Sequence, residues 1–218
     1  FQHAGFRVVL DTGAAGKKGD KYDTDELVNQ YLLFHFGSQA EQQDEALAKR
    51  IEFPSVVNLI DRTVELMNQF APRRVKALDL GCAVGRSTFE LARTFDSVLG
   101  LDYSDALIDA AEHLRQQRSI EYKRWDTGAH NTRLKASIDE HIDRERIGFV
   151  QGDAANLAGA PMVQNNEQYD AILLSNLMCR LSAPAQCLRQ FTEPDRYMKS
   201  GGILVISSPN TWMARYTD

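Results

Sequence analysis

Val75–Ala92 reads VKALDLGCAVGRSTFELA, and the fold turns on it. Val75, Ala77, Leu78 and Leu80 form a short run of the buried-strand type. Gly81 and Gly85 then turn the chain, and an amphipathic stretch follows that reads as a helix. Ser87 with Glu90 three residues on fits a capping box at the helix start. A strand, a glycine turn and a helix N-terminus are expected to gather bare N–H groups and a positive dipole end at one point. Such a point suits a polar small molecule. The spacing is Asp79-x-Gly81-x-x-x-Gly85, not the G-x-G-x-x-G of dinucleotide sites. Taken alone, the heptapeptide could also be an ordinary strand-to-helix turn.

Working outward, Ser97–Asp102 is a second strand ending in an acid, and Ser104 caps a helix to about Gln117. In a parallel doubly wound sheet that acid lies beside the first strand's turn. A carboxylate there can accept from both hydroxyls of a ribose, and its removal is expected to spare the fold. Ile120–Ile138 alternates weakly around Thr127-Gly128 and predicts a hairpin insertion. Trp125 and His130 place it as a flap, a piece of substrate pocket or a solvated ribbon, the last slightly favoured. Ile147–Gln151 is a third parallel strand ending in Gly152-Asp153-Ala154. There glycine permits close approach to a flat ring and Asp153 can accept from an exocyclic amine. Tyr169–Ser175 is a near-continuous apolar run, the mark of a central strand covered on both faces, and it ends in Asn176. Pro184–Met198 reads as a helix, Gly201-Gly202 as a turn, and Ile203–Ser208 as a fifth strand of central type.

On the N-terminal side, Tyr22–Phe36 predicts a helix with Thr24 as N-cap and Gly37 as its stop. Its aromatic end (Tyr31, Phe34, His35, Phe36) is either a core stripe or a lid over a substrate pocket. Phe53–Phe70 is a second helix with Pro54 in its first turn. Phe6–Leu10 followed by the Gly/Ala/Lys-rich Asp11–Asp20 looks like the tail of a preceding domain and a linker. The organisation expected is therefore 1–20 tail and linker, then 21–218 one α/β domain. The chain begins without Met and stops soon after a strand, which suggests a fragment of a longer polypeptide.

Composition bounds the function. Of 218 residues, 43% are hydrophobic and 25% charged, an ordinary globular balance. A net charge of −5 with no like-charge block argues against a nucleic-acid partner. No apolar run reaches membrane-span length. Cys82, Cys179 and Cys187 lack metal-ligand spacing, so no metal is expected and buried thiols in a reducing, cytoplasmic setting are the reading.

Asp79/Gly81/Gly85, Asp102, Asp153 and Asn176 fall at four strand ends, which in an open α/β sheet line one crevice. Acids for a ribose and an adenine amine, with no Lys or Arg cradle and no Walker pair, suit a nucleoside without phosphates. S-adenosylmethionine meets that description. The Asp-x-Gly-x-x-x-Gly turn resembles motif I of class I S-adenosylmethionine-dependent methyltransferases. KYDTDELVNQYLLFHFG (21–37), Phe53-Pro54, LDLGCAVGRSTFELA, NLMCRL (176–181) and SSPNTW (207–212) together resemble the C-terminal methyltransferase domain of the ovothiol-biosynthesis enzyme family. The opening FQHAGFRVV resembles the end of the formylglycine-generating-enzyme-like domain that precedes it there.

The resemblance implies a doubly wound sheet of order 3-2-1-4-5, lacking here its last two strands. It implies N-methylation of a thiohistidine imidazole, and a covalently linked upstream sulfoxide-synthase-type domain. It implies cofactor contacts from Asp79 and Gly81 (methionine amino group), Asp102 (ribose), Asp153 and Ala154 (adenine) and Asn176 (sulfonium), with Gly85 and Tyr103 also in the cofactor site. Tyr31, Phe34, His35 and Asn176 are the acceptor-side candidates, and no catalytic base is named. A methyltransferase for another small acceptor, and a non-catalytic nucleoside-binding or interaction module, remain open. A nicotinamide dehydrogenase is disfavoured by the glycine spacing.

Overall fold

A computed structural model describes residues 23–42, 56–126, 130–160, 167–192 and 196–209. The readings on Phe6–Leu10, the linker, Phe53-Pro54, Thr127-Gly128 and Asn210-Thr211-Trp212 lie outside the described residues. In chain order the helices and strands are α1 (Asp25–Phe36), α2 (Gln39–Gln42), α3 (Val56–Phe70), β1 (Lys76–Leu80) and α4 (Arg86–Leu91). They continue with β2 (Ser97–Asp102), α5 (Asp105–Gln117), β3 (Ser119–Trp125), β4 (Asn131–Ser137), β5 (Ile147–Gln151), β6 (Tyr169–Ser175), α6 (Pro184–Thr192) and β7 (Met198–Ser207).

The central sheet runs β5-β2-β1-β6-β7, and each pairing is parallel. This is the doubly wound α/β order the sequence predicts. Strand alternation sorts the core into two layers. Ala77, Val98, Ala171 and Leu173 face one side, where Leu32 of α1, Val64 and Met67 of α3, Phe89 and Leu91 of α4 and Leu107, Ala111 and Leu114 of α5 cover them. Leu78, Leu80, Leu99, Leu101, Ile172 and Leu174 face the other, under Cys187 and Phe191 of α6.

The Thr24 and Ser104 caps form as predicted. Thr24 Oγ1 accepts from the Leu27 N–H at 3.2 Å, and Ser104 Oγ accepts from the Leu107 N–H at 3.2 Å. Gly37 closes α1 with its N–H on the Leu33 carbonyl at 2.9 Å. β1 starts one residue late, leaving Val75 exposed.

Two readings are corrected. The hairpin is β3 paired antiparallel with β4 as a separate two-stranded sheet. It is not a solvated ribbon: Tyr122 and Ala136 are buried in the first core layer. Lys123 N–H also donates to Asn29 Oδ1 of α1 at 2.9 Å. Apart from Trp125, its outward residues are polar, which hides a one-sided ribbon among exposed-looking sequence.

The last helix stops at Thr192 rather than Met198, and β7 starts at Met198, running through Gly201-Gly202 instead of turning there. The cause is local. Asp170 in β6 has a buried carboxylate that holds Lys199 Nζ at 3.0 Å, Arg73 Nε at 3.1 Å and the Lys76 N–H at 3.0 Å. That grip draws the start of β7 into register with Tyr169. The sheet absorbs the excess residues as a bulge before Ala171↔Ile203 resumes the ladder.

Candidate active site

Asp79 lies one residue before the end of β1, on the same face as Ala77. Alternation therefore aims its carboxyl under α4 rather than out of the strand end. Oδ2 accepts from Ser87 Oγ at 2.6 Å and Thr88 Oγ1 at 2.7 Å. Oδ1 is buried and has no partner. Burial pushes this carboxyl up to about 6 despite the two hydroxyl bonds, and the charge of Asp102 adds to the rise.

The turn after β1 is left-handed at Gly81 (φ 72°), Ala83 (φ 49°) and Gly85 (φ 83°). Four of its amides already have partners within the chain, at a point where the sequence reading expects bare N–H groups. Gly81 and Cys82 N–H donate to the Leu101 carbonyl at 2.7 and 3.1 Å, and Gly85 N–H donates to the Cys82 carbonyl at 2.9 Å. Ala83 N–H donates to Asp102 Oδ2 at 2.8 Å. The capping box is also absent: Gly85 is the N-cap residue and makes no side-chain cap bond. Ser87 is committed to Asp79, and Glu90 pairs with Arg86 at 3.3 Å and Arg93 at 2.6 Å.

A Cβ at Gly85 would lie 2.6 Å from Phe149 Cζ, and one at Gly81 would lie 2.8 Å from Leu177 Cδ1. Leu177 thereby seats the segment after β6 directly on the turn. Cys82 is buried beside both acids, which together with burial push its thiol well above its ordinary value. It is an inert wall rather than a nucleophile.

Asp102 is tied into the chain at both carboxylate oxygens. Oδ2 takes the Ala83 N–H and Oδ1 takes the Ser104 N–H at 3.0 Å. It pins the glycine turn to the start of α5, an additional role that the sequence reading does not assign it. Burial raises its carboxyl above the usual range, while the amide bonds oppose the rise. Each oxygen keeps capacity for a further hydrogen bond. Tyr103 beside it is 48% exposed. Gly152 N–H donates to the Asp102 carbonyl at 2.8 Å, so the β5 end abuts this point.

Asp153 is exposed and accepts the Ala155 N–H at 2.8 Å, and Ala154 is buried. The space beside Gly152 is filled by Ala160 and Leu101 of the chain itself, not left for a ring. Asn176 is left-handed (φ 54°), its N–H on the Ser207 carbonyl at 3.0 Å, which ties the β6 end to β7.

The structure therefore brings Asp79, Gly81, Gly85, Asp102, Asp153 and Ala154 together through the β1, β2 and β5 ends, and Leu177 joins the Asn176 segment to them. On α1, the Tyr31 and His35 rings meet edge-on at 5.7 Å, and Phe34 and His35 lie 5.5 Å apart. His35 lies where the charge of Arg86 acts on it, and burial leads that charge in lowering its imidazole to about 4.

Four contributors escaped the sequence reading: Ser87 and Thr88 on Asp79, Leu177 on Gly81, and Gln190. Gln190 is buried in α6 and clasps the β5 loop through the Leu157 N–H and the Ala154 carbonyl, both at 2.8 Å. Only the first pair had a signal, since the parity of Asp79 points it at the first turn of the next helix. Among the described residues no cluster of His, Cys, Asp and Glu could hold a metal ion, and no helix is long and apolar enough to cross a membrane.

A family model described as a methyltransferase domain matches residues 78–204, more than half of the chain. No curated protein matches. Among solved structures, the [4+2]-cyclase SpnF superposes with TM-score 0.55 at 20% identity, covering 87% of this chain and 58% of that one. A Galdieria sulphuraria protein provisionally assigned as a sarcosine dimethylglycine methyltransferase gives 0.54 at 15%, covering 84% and 59%. The chain thus spans less than two thirds of either. At these identities the likeness is one of fold, and that one of the two is named a cyclase shows how little fold fixes chemistry.

Proposed function

Because the chain belongs to the methyltransferase domain family, we propose that it transfers a methyl group from S-adenosylmethionine to an imidazole nitrogen of a thiohistidine. The observation that carries the cofactor half is Asp79. A buried carboxylate oxygen without a partner, beside a turn closed by two left-handed glycines, fits a ligand bearing a cationic N–H group. The acceptor half rests on the sequence segments that resemble the ovothiol family.

When bound, the cofactor supplies an electrophilic methyl on a sulfonium. The residues here bind and orient. Asp79 Oδ1 accepts from the methionyl ammonium, and Asp102 takes the ribose hydroxyls on its remaining lone pairs, with Tyr103 at the rim. Asp153 and Ala154 hold the adenine edge, Leu177 lies against Gly81, and Asn176 stands by the sulfonium. Tyr31, Phe34 and His35 of α1 bound the acceptor. A neutral imidazole already offers a lone pair near pH 7, so attack needs no strong base. The chain's task is positioning and exclusion of water, which can contribute about 7–11 kcal/mol. An upstream sulfoxide-synthase-type domain in the same polypeptide is the proposed source of the thiohistidine.

Calorimetry with S-adenosylhomocysteine and NAD, followed by turnover with thiohistidine, tests the reading. Binding of the first alone with methylated product supports it. Binding without turnover of any imidazole acceptor reduces the chain to a nucleoside-binding module, and preference for NAD overturns the reading altogether.

A further inference from the structure

α1 carries the acceptor-side candidates Tyr31, Phe34 and His35, so whatever fixes that helix bears on how an acceptor is placed. Its middle is tied to the hairpin by the Lys123 N–H on Asn29 Oδ1 at 2.9 Å. Its last residue, Phe36, lies under Arg86, whose guanidinium carbon is 5.5 Å from the ring centroid. Its start is tied to a different place. Asp23 precedes the Thr24 cap, and its Oδ1 accepts from Ser104 Oγ at 2.7 Å and from the Ala106 N–H at 3.3 Å. Both donors belong to the start of α5, next to Asp102.

Ser104 is therefore held by two carboxylates. Its hydroxyl donates to Asp23, and its N–H donates to Asp102 Oδ1 at 3.0 Å. Ser104 itself is buried, so the two grips meet on a fixed point. The positive end of α5 favours both acids there. Their like charges oppose each other: burial leads in raising the Asp102 carboxyl, and the charge of Asp23 adds to it. A hydroxyl that donates to Asp102 spreads its charge and eases that repulsion. A ribose at Asp102 thus interacts differently with the seated and the loosened states of α1, which is what a shift between them requires.

We infer that Asp23 is a positioning residue, a latch that seats α1 more firmly when a ribose occupies Asp102 and so couples the cofactor side of the site to the acceptor side. The coupling is reciprocal, because seating α1 also favours the ribose. The inference rests on the methyl-transfer reading for its ligand and for the role of α1.

Hydrogen exchange over α1 reads the seating. In the wild type, S-adenosylhomocysteine should slow exchange of the amides of residues 28–36 by about fivefold, the low end of coupling between sites, as suits an exposed carboxylate. Adenosine at saturation has the ribose but no methionyl part, and should slow them as much. Asp23→Asn keeps an oxygen where Ser104 and Ala106 donate but carries no charge. It should bind both ligands, melt close to wild type and show no slowing, whereas a residue that only braces α1 would leave the ligand response intact. Asn29→Ala loosens the same helix away from Asp102 and should keep the response. The inference is overturned, with the methyl-transfer reading left standing, by any of four results: ligand binding without slowing in the wild type, a full response in Asp23→Asn, a lost response in Asn29→Ala, or slowing by S-adenosylhomocysteine but not by bound adenosine. Failure of the wild type to bind either ligand overturns both.

Discussion

At Asp79 and His35 the fold carries two opposing burial costs. Folding takes the Asp79 carboxyl from 3.8 to about 6, so the folded chain holds that proton more tightly than the unfolded chain between those values. Its contribution is greatest below about pH 4 and declines as pH rises to about 6, by about 3 kcal/mol. His35 runs the other way, from 6.5 to about 4: its contribution is full above 6.5 and is lost as pH falls toward 4. The two slopes offset each other in the wild type. Relative to it, Asp79→Asn should gain stability as pH rises from 4 to 6, and His35→Leu should gain as pH falls from 6.5 to 4. Urea titrations at half-unit pH steps read both differences, and curves parallel to wild type would rule out the burial argument. Asp79→Asn is also expected to be more stable than wild type at pH 7 while binding S-adenosylhomocysteine more weakly. Asp102→Ala should lose on both counts. It removes the proposed charged contact to the ribose, of about 1.5–3 kcal/mol, and strands the Ala83 N–H, at about 1–3 kcal/mol of stability. A lowered affinity with an unmoved thermal midpoint would show that Asp102 does not pin the turn.

The glycine turn is held as one unit by the Gly81, Cys82, Ala83 and Gly85 amides, which bond within it and to β2. Gly85→Ala must bear both a left-handed φ and a Cβ 2.6 Å from Phe149, whereas Gly201→Ala bears a left-handed φ of 77° in open space. The second should cost about 1–2 kcal/mol and the first clearly more. Equal denaturation midpoints for the two variants would remove the packing argument. At this scale the sequence was legible wherever burial alone decides the element. The apolar runs of β1, β2 and β6 and the capped α1 and α5 all appear where their patterns put them. It was illegible where a long-range contact overrides the local signal. Met198-Lys199-Ser200 is too polar to read as strand, and Gly201-Gly202 is ordinary punctuation, until the Asp170 carboxylate 28 to 30 residues upstream claims Lys199. Ser87 fits a capping box until Asp79 claims its hydroxyl. The hairpin looked solvated because its buried face is short: Tyr122 and Ala136 are buried, with Ile120 and Leu134 packed beside them.

Across the whole molecule, the described sheet ends in β5 on one side and β7 on the other. β7 is half-buried rather than covered on both faces, and Ile206 is 44% exposed. An apolar edge of that kind favours pairing between copies. Ile206→Lys should lower self-association in sedimentation velocity with stability within about 0.5 kcal/mol of wild type. Unchanged sedimentation at equal concentration would clear the edge of that charge. The candidate site was legible as a set of strand ends, because topology alone brings those ends to one place. The direction each side chain takes from its strand end was not, because it depends on parity and on which neighbour claims it. The strand order also has a consequence in time. β1 lies between β2 and β6, yet β6 is made long after β2. On the ribosome, β1 and β2 must wait on the order of ten seconds, at about 5–20 residues per second, with one flank of the central strand open until Ser175 has emerged. The pairing of β1 is therefore completed only when β6 arrives, and the nascent chain is expected to be more open to proteases and chaperones before that point than after it.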